Sequence, residues 1–341
     1  MTGPSTTADQ IQPAHPAWMR RLLMTATMIL LLSLSAAAIG SIAQRLTAPA
    51  QIVAVAPQPV PDAAREVGMP LVVSPAWLRE QRSVPESPLM VIDLSDIRAY
   101  EREHVPGAMH AWWQDGMDQN AASYGQALSP NPYPTGPREW FRSLGIDPST
   151  RVVAYDDRQS RDAARFVWLM AFVGLENGAV LNGGLAAWKG AGLPVSDEAP
   201  PLSAPTELAT DIVPPMVIAT AELASWLEDP ALTVVDVRTP AERNETLNDT
   251  IRTGSIPSSI PIPWDRLILD ESGQLRSNAE LRAIFAGAGL SPDREVVVYG
   301  RFGTDTGLLW LALRLAGYGT IRVYDEGWAI WASRPELPIT E

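Results

Sequence analysis

Apolar residues along the chain fall into short runs that return in the same order. The first copy opens with Ser74-Pro75-Ala76-Trp77-Leu78 and the second with Thr220-Ala221-Glu222-Leu223-Ala224-Ser225-Trp226-Leu227. Both have the spacing of an amphipathic helix, with Ser74 and Thr220 as N-caps and Pro75 in the first turn. A buried-strand run ending in aspartate follows each: Leu89-Met90-Val91-Ile92-Asp93, then Leu232-Thr233-Val234-Val235-Asp236. Next come His104-Val105-Pro106-Gly107-Ala108 and, in the second copy, Ser255-Ile256-Pro257-Ser258-Ser259. A helix then ends at Leu144-Gly145-Ile146-Asp147-Pro148 or Ala288-Gly289-Leu290-Ser291-Pro292, where glycine closes the helix and proline prevents its resumption.

A second apolar strand follows directly, Arg151-Val152-Val153-Ala154-Tyr155 and Glu295-Val296-Val297-Val298-Tyr299. A loop leads into another apolar helix, through Phe166-Val167-Trp168-Leu169 or Leu308-Leu309-Trp310-Leu311. The third strand closes with Val180-Leu181-Asn182-Gly183-Gly184 or Val323-Tyr324-Asp325-Glu326-Gly327. Each copy ends on a tryptophan, Trp188 before Leu193-Pro194-Val195 and Trp331 before Leu337-Pro338-Ile339. Short apolar strands alternating with helices predict an α/β fold, a parallel sheet with helices on both faces, built twice. The copies occupy 71–195 and 217–341, and the proline-rich stretch 196–216 is the linker between them.

A different pattern precedes the repeats. Residues 22–43 carry no charge, and a helix of that length reaches about 33 Å, enough to cross a bilayer core. Arg20 and Arg21 stand before it, which puts residues 1–21 in the cytoplasm and the body outside. The expected location is therefore the inner membrane, as a single-pass anchor. A signal peptide cleaved after Ala36-Ala37-Ala38 is the rival reading, and would release a periplasmic protein. Residues 47–70 are rich in proline and alanine and read as a semi-extended tether.

Composition narrows the chemistry. The 341 residues include 26 basic and 39 acidic ones, for a formal charge of −13. Lys189 is the only lysine, and with many alanines and 31 prolines this suggests a bacterial chain. An acidic body disfavours nucleic acid as a partner. There is no cysteine, so disulfides and thiolate metal sites are absent, and the three histidines (His15, His104 and His110) leave little for a metal. No cofactor is expected.

The succession of motifs resembles the rhodanese-like sulfurtransferase family in its tandem, two-domain form. Asp236-Val237-Arg238-Thr239-Pro240-Ala241-Glu242, His104-Val105-Pro106-Gly107-Ala108, Leu181-Asn182-Gly183-Gly184 with Trp188, and Ala312-Leu313-Arg314-Leu315-Ala316-Gly317-Tyr318 carry the resemblance. It covers about four-fifths of the chain. The resemblance implies two rhodanese-like domains, preceded here by the transmembrane helix. It also implies an active loop just after the second strand, where the family has a cysteine that carries sulfur as a persulfide. Backbone N–H groups and the following helix dipole would acidify that thiol and hold an anionic donor.

In the first copy this loop reads Asp156, Asp157, Arg158, Gln159, Ser160, Arg161, with Asp156 at the cysteine position. Asp156 is expected to cap the helix behind it. The second copy reads Gly300, Arg301, Phe302, Gly303, Thr304, Asp305, with Gly300 at the cysteine position. Glycine cannot carry a persulfide, and Thr304 or Thr306 would need a base that this copy, without histidine, does not supply. The sequence therefore reads as a non-enzyme with a vestigial loop and a binding or scaffolding role, for which an accessory subunit of a membrane complex with a protein partner is one form. Two alternatives stand beside it: a thiosulfate or 3-mercaptopyruvate sulfurtransferase by ancestry, and a sensor of small anions or sulfur compounds. For an anion at the second loop, Arg301 would help and Asp305 would oppose. His104 is expected to be a hydrogen-bonding turn residue. Trp168, Trp188, Trp310 and Trp331 are expected in the core. The polar stretch holding Asn244-Glu245-Thr246 and Asn248-Asp249-Thr250 is expected to be a surface loop.

Overall fold

The computed structural model describes residues 69–84, 89–112, 136–201, 203–208, 216–244, 252–301 and 303–340. The span read as a membrane anchor, residues 47–68 of the 47–70 tether, residues 245–251 of the expected polar surface loop, and Phe302 lie outside the described residues. Among the described residues no helix is long and apolar enough to cross a membrane.

The first repeat runs β1 (Val72–Val73), α1 (Pro75–Arg82), β2 (Leu89–Asp93), α2 (Ile97–Arg102), β3 (Met109–His110), α3 (Gly136–Ser143), β4 (Arg151–Tyr155), α4 (Arg161–Phe172), β5 (Gly178–Leu181) and α5 (Gly184–Gly190). The second runs α6 (Thr220–Trp226), β6 (Leu232–Asp236), α7 (Pro240–Asn244), β7 (Ile260–Pro261), a π-helical turn (Trp264–Ile268), α8 (Asn278–Gly287), β8 (Glu295–Tyr299), α9 (Thr304–Ala316), β9 (Ile321–Val323) and α10 (Gly327–Ser333). The strand orders are β1-β5-β4-β2-β3 and β7-β6-β8-β9, with every named pair parallel. Val217 bridges Val323 in parallel, standing where β1 stands in the first sheet. The two orders are thus the same.

Register repeats as well. Asp93 pairs with Tyr155 across β2 and β4, and Asp236 with Tyr299 across β6 and β8. Each tyrosine hydroxyl accepts a backbone N–H from the turn after the second helix, Val105 at 2.9 Å and Ile256 at 3.1 Å. Each terminal tryptophan donates its indole N–H to a proline carbonyl, Trp188 to Pro194 and Trp331 to Pro338.

Alternation along the strands explains the layering. Val152 and Ala154 of β4, and Val296 and Val298 of β8, enter one hydrophobic core that spans both repeats. Their neighbours Val153 and Tyr155, and Val297 and Tyr299, face two separate outer cores, one per repeat. The shared core also holds Trp168 and Trp310 from α4 and α9. All four tryptophans expected in the core are buried. Burying apolar surface on both faces of each sheet supplies the main driving force, at roughly 25 cal/mol per Å².

One local expectation changes. Ser74 caps α1 through its hydroxyl, which accepts from Trp77 N at 3.2 Å. The matching cap of α6 is Ala219, not Thr220. The Thr220 hydroxyl is instead taken up by Tyr324 Oη at 2.7 Å and by Glu326. The linker packs against the first repeat: Arg142 binds Thr206, Arg138 donates to the Leu208 carbonyl, and Leu208 is buried in the shared core. His104 ties it further, with ring nitrogens 2.8 Å from the Tyr100 carbonyl and 3.1 Å from that of Glu198.

Candidate functional site at the two post-strand loops

The loop after β4 is closed by its own side chain. Asp156 is buried, and its carboxylate accepts from the backbone N–H groups of Arg158, Ser160 and Ala163, each at 2.8 Å. Gln159 and Ser160 both have left-handed backbone, φ 61° and 65°. Non-glycine residues there cost on the order of 1–2 kcal/mol each. The three bonds to Asp156 hold them, and turn the loop's N–H groups inward into an anion cradle. Burial raises the Asp156 carboxyl above the usual range, and the three N–H groups oppose that rise. Asp156 therefore caps α4 from the cysteine position while filling the space a bound anion would take.

The loop after β8 is headed by Gly300, which is buried and carries no side chain. The Gly300 carbonyl accepts from Trp328 N at 2.9 Å and that of Arg301 from Ala329 N at 3.3 Å, so the loop rests on the first turn of α10. The approach requires glycine at Gly327, whose φ is 64°: a Cβ there would lie 2.7 Å from the Arg301 carbonyl. Gly184 plays the same part in the first repeat, where a Cβ would lie 2.6 Å from the Asp156 carbonyl. Gly303 lies against Asp325, and a Cβ there would collide with its carboxylate. Arg301 is partly buried, and Thr304 opens α9. The Thr306 hydroxyl donates to the Gly303 carbonyl, so this threonine serves the helix start.

The two loops meet through α4 and α9, which cross closely because Gly307 lets them. A Cβ on Gly307 would lie 2.7 Å from the Arg165 backbone. At this crossing the charges pair between repeats. Arg161 donates to Asp305 through Nε at 2.6 Å and through a terminal nitrogen, and lies over the Trp264 ring at 4.3 Å. Arg165 donates to Asp325 at 2.8 Å with both side chains buried. Within the first repeat, Arg158 pairs at 3.1 Å with Asp162, which is 1% exposed. Burial raises the Asp305 carboxyl and Arg161 draws it back. Burial, with Asp156 nearby, pushes Asp162 up to about 6. The expectation that Asp305 opposes an anion at the loop changes accordingly, because its charge is met by Arg161.

Asp157 and Gln159 are exposed at the rim of the first loop, and Ser160 is buried beneath it. Asp162, Arg165 and Asp325 were not singled out as site residues from sequence. Arg161 and Asp305 carry opposite charges at the same repeat position, and that was the available signal. Among the described residues no group of three or more His, Cys, Asp or Glu side chains is arranged to hold a metal ion.

With two copies of one parallel-sheet unit and paired post-strand loops, the molecule is a tandem α/β protein built from a duplicated domain. The rhodanese-like domain family model matches residues 74–191 and 219–334, and the chain belongs to the rhodanese-like family. A thiosulfate sulfurtransferase of Azotobacter vinelandii is 30% identical over 283 residues, covering 80% of this chain and 97% of that one. A 3-mercaptopyruvate sulfurtransferase of Escherichia coli is 27% identical over 280 residues, covering 77% and 95%. The fold is also that of the anaerobic ergothioneine biosynthesis enzyme from Chlorobium limicola, with TM-score 0.67 at 23% identity over 79% of this chain and 69% of that one.

These relatives correct the non-enzyme reading drawn from Gly300 and Asp156. They place the chain in a family of sulfur-transfer enzymes over most of its length. Absence of a thiol from one chain removes one sulfur carrier, and does not by itself take the chain out of such chemistry.

Proposed function

We propose that the protein binds a small sulfur-containing oxyanion at the second-repeat loop, as a membrane-tethered member of the sulfurtransferase family with its body outside the cytoplasm. One observation carries this reading. In the first repeat the loop's backbone donors are taken by the carboxylate of Asp156. In the second, Gly300 occupies that place and offers no carboxylate.

Thiosulfate is the first candidate ligand, from the names of the relatives, and 3-mercaptopyruvate the second. The chain itself holds no thiol. A sulfur-transfer cycle that runs through this site therefore takes its thiol from a second molecule, and a partner protein in a membrane complex is the natural source. The uncharged run at residues 22–43, with Arg20 and Arg21 before it, supports the tether.

Calorimetric titration with thiosulfate, sulfite, sulfate and phosphate tests the binding. The parent chain should take up thiosulfate at one site. Gly300→Asp, which reproduces the first repeat's own plug, should abolish it. Equal affinity in parent and variant, or no uptake by the parent, would overturn the reading. Carbonate-washed membranes should retain the full-length chain, and recovery of a free mature form would replace the anchor with a cleaved signal.

A further inference from the structure

Gly303, the buried N-cap of α9, is where the second-repeat loop meets an inter-repeat ion pair. A Cβ on Gly303 would collide with Asp325 Oδ1 and stand 3.1 Å from a terminal nitrogen of Arg165. Both groups therefore lie directly against the loop that Gly300 heads. Arg165 comes from α4 of the first repeat and donates to Asp325 Oδ2 at 2.8 Å. Its guanidinium also lies over the Trp168 ring at 4.2 Å. The repeat position of Asp325 is held in the first copy by Asn182, whose neutral amide oxygen accepts from Leu275 N at 2.8 Å. The two copies thus differ in where they keep a carboxylate. The first has one inside its cradle, at Asp156, and an amide at Asn182. The second has no side chain at Gly300 and a carboxylate against the loop, at Asp325.

Of the two charges the carboxylate is the nearer to Gly303, so the pair turns its negative end toward the loop. A charge fixed there acts on a bound anion in proportion to the anion's own charge, and burial keeps salt from screening it. We propose that Asp325 is a charge-selectivity residue of the second-repeat loop: held in place by Arg165 of the first repeat, it favours a singly charged sulfur compound over a doubly charged one of the same shape. Arg165 acts through Asp325, as the residue that positions it. This rests on the binding reading given above and refines it, since thiosulfate bears the penalty twice and a monoanion of like shape bears it once.

Thiosulfate and methanethiosulfonate are the probes, because a methyl group in the second replaces one charged oxygen of the first. Calorimetric titration of the full chain gives both affinities. Asp325→Asn should raise that of thiosulfate about ten-fold and that of methanethiosulfonate about three-fold, since the interaction scales with ligand charge. This variant leaves Arg165 without its carboxylate, so Arg165→Gln with Asp325→Asn, which removes both charges, guards against misfolding. The double variant should also bind thiosulfate more tightly than the parent chain, with the smaller gain again on the monoanion. Equal changes for the two anions, or none, would overturn the selector. Should neither anion bind any of these chains, the binding reading fails, and a thiol at position 300 still reports the field at the loop. In Gly300→Cys the new thiol is the chain's only one. Adding Asp325→Asn should lower its titration midpoint, followed by alkylation rate, by about half a pH unit or more. A lowered midpoint supports the selector without any ligand, and an unmoved one overturns it.

Discussion

Arg161 and Asp305 stand 144 residues apart, the same interval that separates Tyr155 from Tyr299, and they bind each other. One position of the repeat therefore meets its own counterpart, carrying a cation in one copy and an anion in the other. Both lie in the first turn of the helix that follows the loop. The pair draws the starts of the two helices together and offsets the charge of Asp305.

Removing either partner should show which of them needs the other. Arg161→Ala leaves Asp305 buried and unmatched, and should cost about 3 kcal/mol in urea unfolding. Asp305→Asn leaves a less buried arginine and should cost less. Exchanging both, Arg161→Asp with Asp305→Arg, should recover most of the loss. An exchange no better than the worse single variant would show that geometry, not charge, dominates.

Stability should respond to pH through Asp162. Its folded carboxyl titrates at about 6, above its unfolded value near 3.8. Between those values the folded state holds a proton that the unfolded chain has lost. The contribution of this group therefore favours folding on the acid side and fades as pH rises through 6. Asp162→Asn should remove that slope and be up to about 3 kcal/mol more stable at pH 7.5, for a shift of about two pH units. The check is the difference between parent and variant in denaturant midpoints from pH 4.5 to 7.5. An unchanged difference across that range would rule out a titrating Asp162.

Gly300→Cys should restore a sulfur carrier. The thiol would stand at the start of the loop before α9, where the backbone N–H groups and helix dipole favour its thiolate. Thiocyanate formation from thiosulfate and cyanide should rise at least ten-fold over the parent chain, with a persulfide visible by mass. Adding Asp305→Asn should give no further gain, since Arg161 already meets that charge. A strong additional gain would show that Asp305 repels the donor despite its partner.

Two glycines at helix ends should behave oppositely. Gly327→Ala forces a Cβ to within 2.7 Å of the Arg301 carbonyl at φ 64°, and should lower stability by about 2 kcal/mol. Gly287→Ala lies at the end of α8 with nothing within 4 Å, and should gain about 0.5 kcal/mol. Thermal melts of both variants provide the comparison.

Strands, their order of use and the glycine stops were legible because they depend on local patterns. A run such as Val296-Val297-Val298 bounded by polar residues has few alternatives to a buried strand. The cap of α6 was not legible, since Thr220 is diverted by Tyr324 and Glu326 from more than 100 residues away. The linker was legible from its prolines, and its attachment through Arg138 and Arg142 was not, since no local pattern predicts those side-chain contacts. At the site, the glycine and aspartate substitutions were readable residue by residue. Their bearing on activity was not, since a single missing thiol does not outweigh relatives, named as sulfurtransferases, that match four-fifths of the chain. The inter-repeat pairs needed the crossing of α4 and α9, which depends on Gly307 and has no local signature.

Unlike charges at one repeat position also determine what each half can associate with. Two copies of the first half joined in the same way would set Arg161 against Arg161, and two copies of the second would bury Asp305 against Asp305. Self-pairing is penalised in both, while the mixed pair is favoured. A fold that reads as a duplicated gene product is therefore no longer a symmetric dimer joined by a linker. Each half has become the specific counterpart of the other, and a change of charge at residue 161 is tolerated only with an answering change at 305.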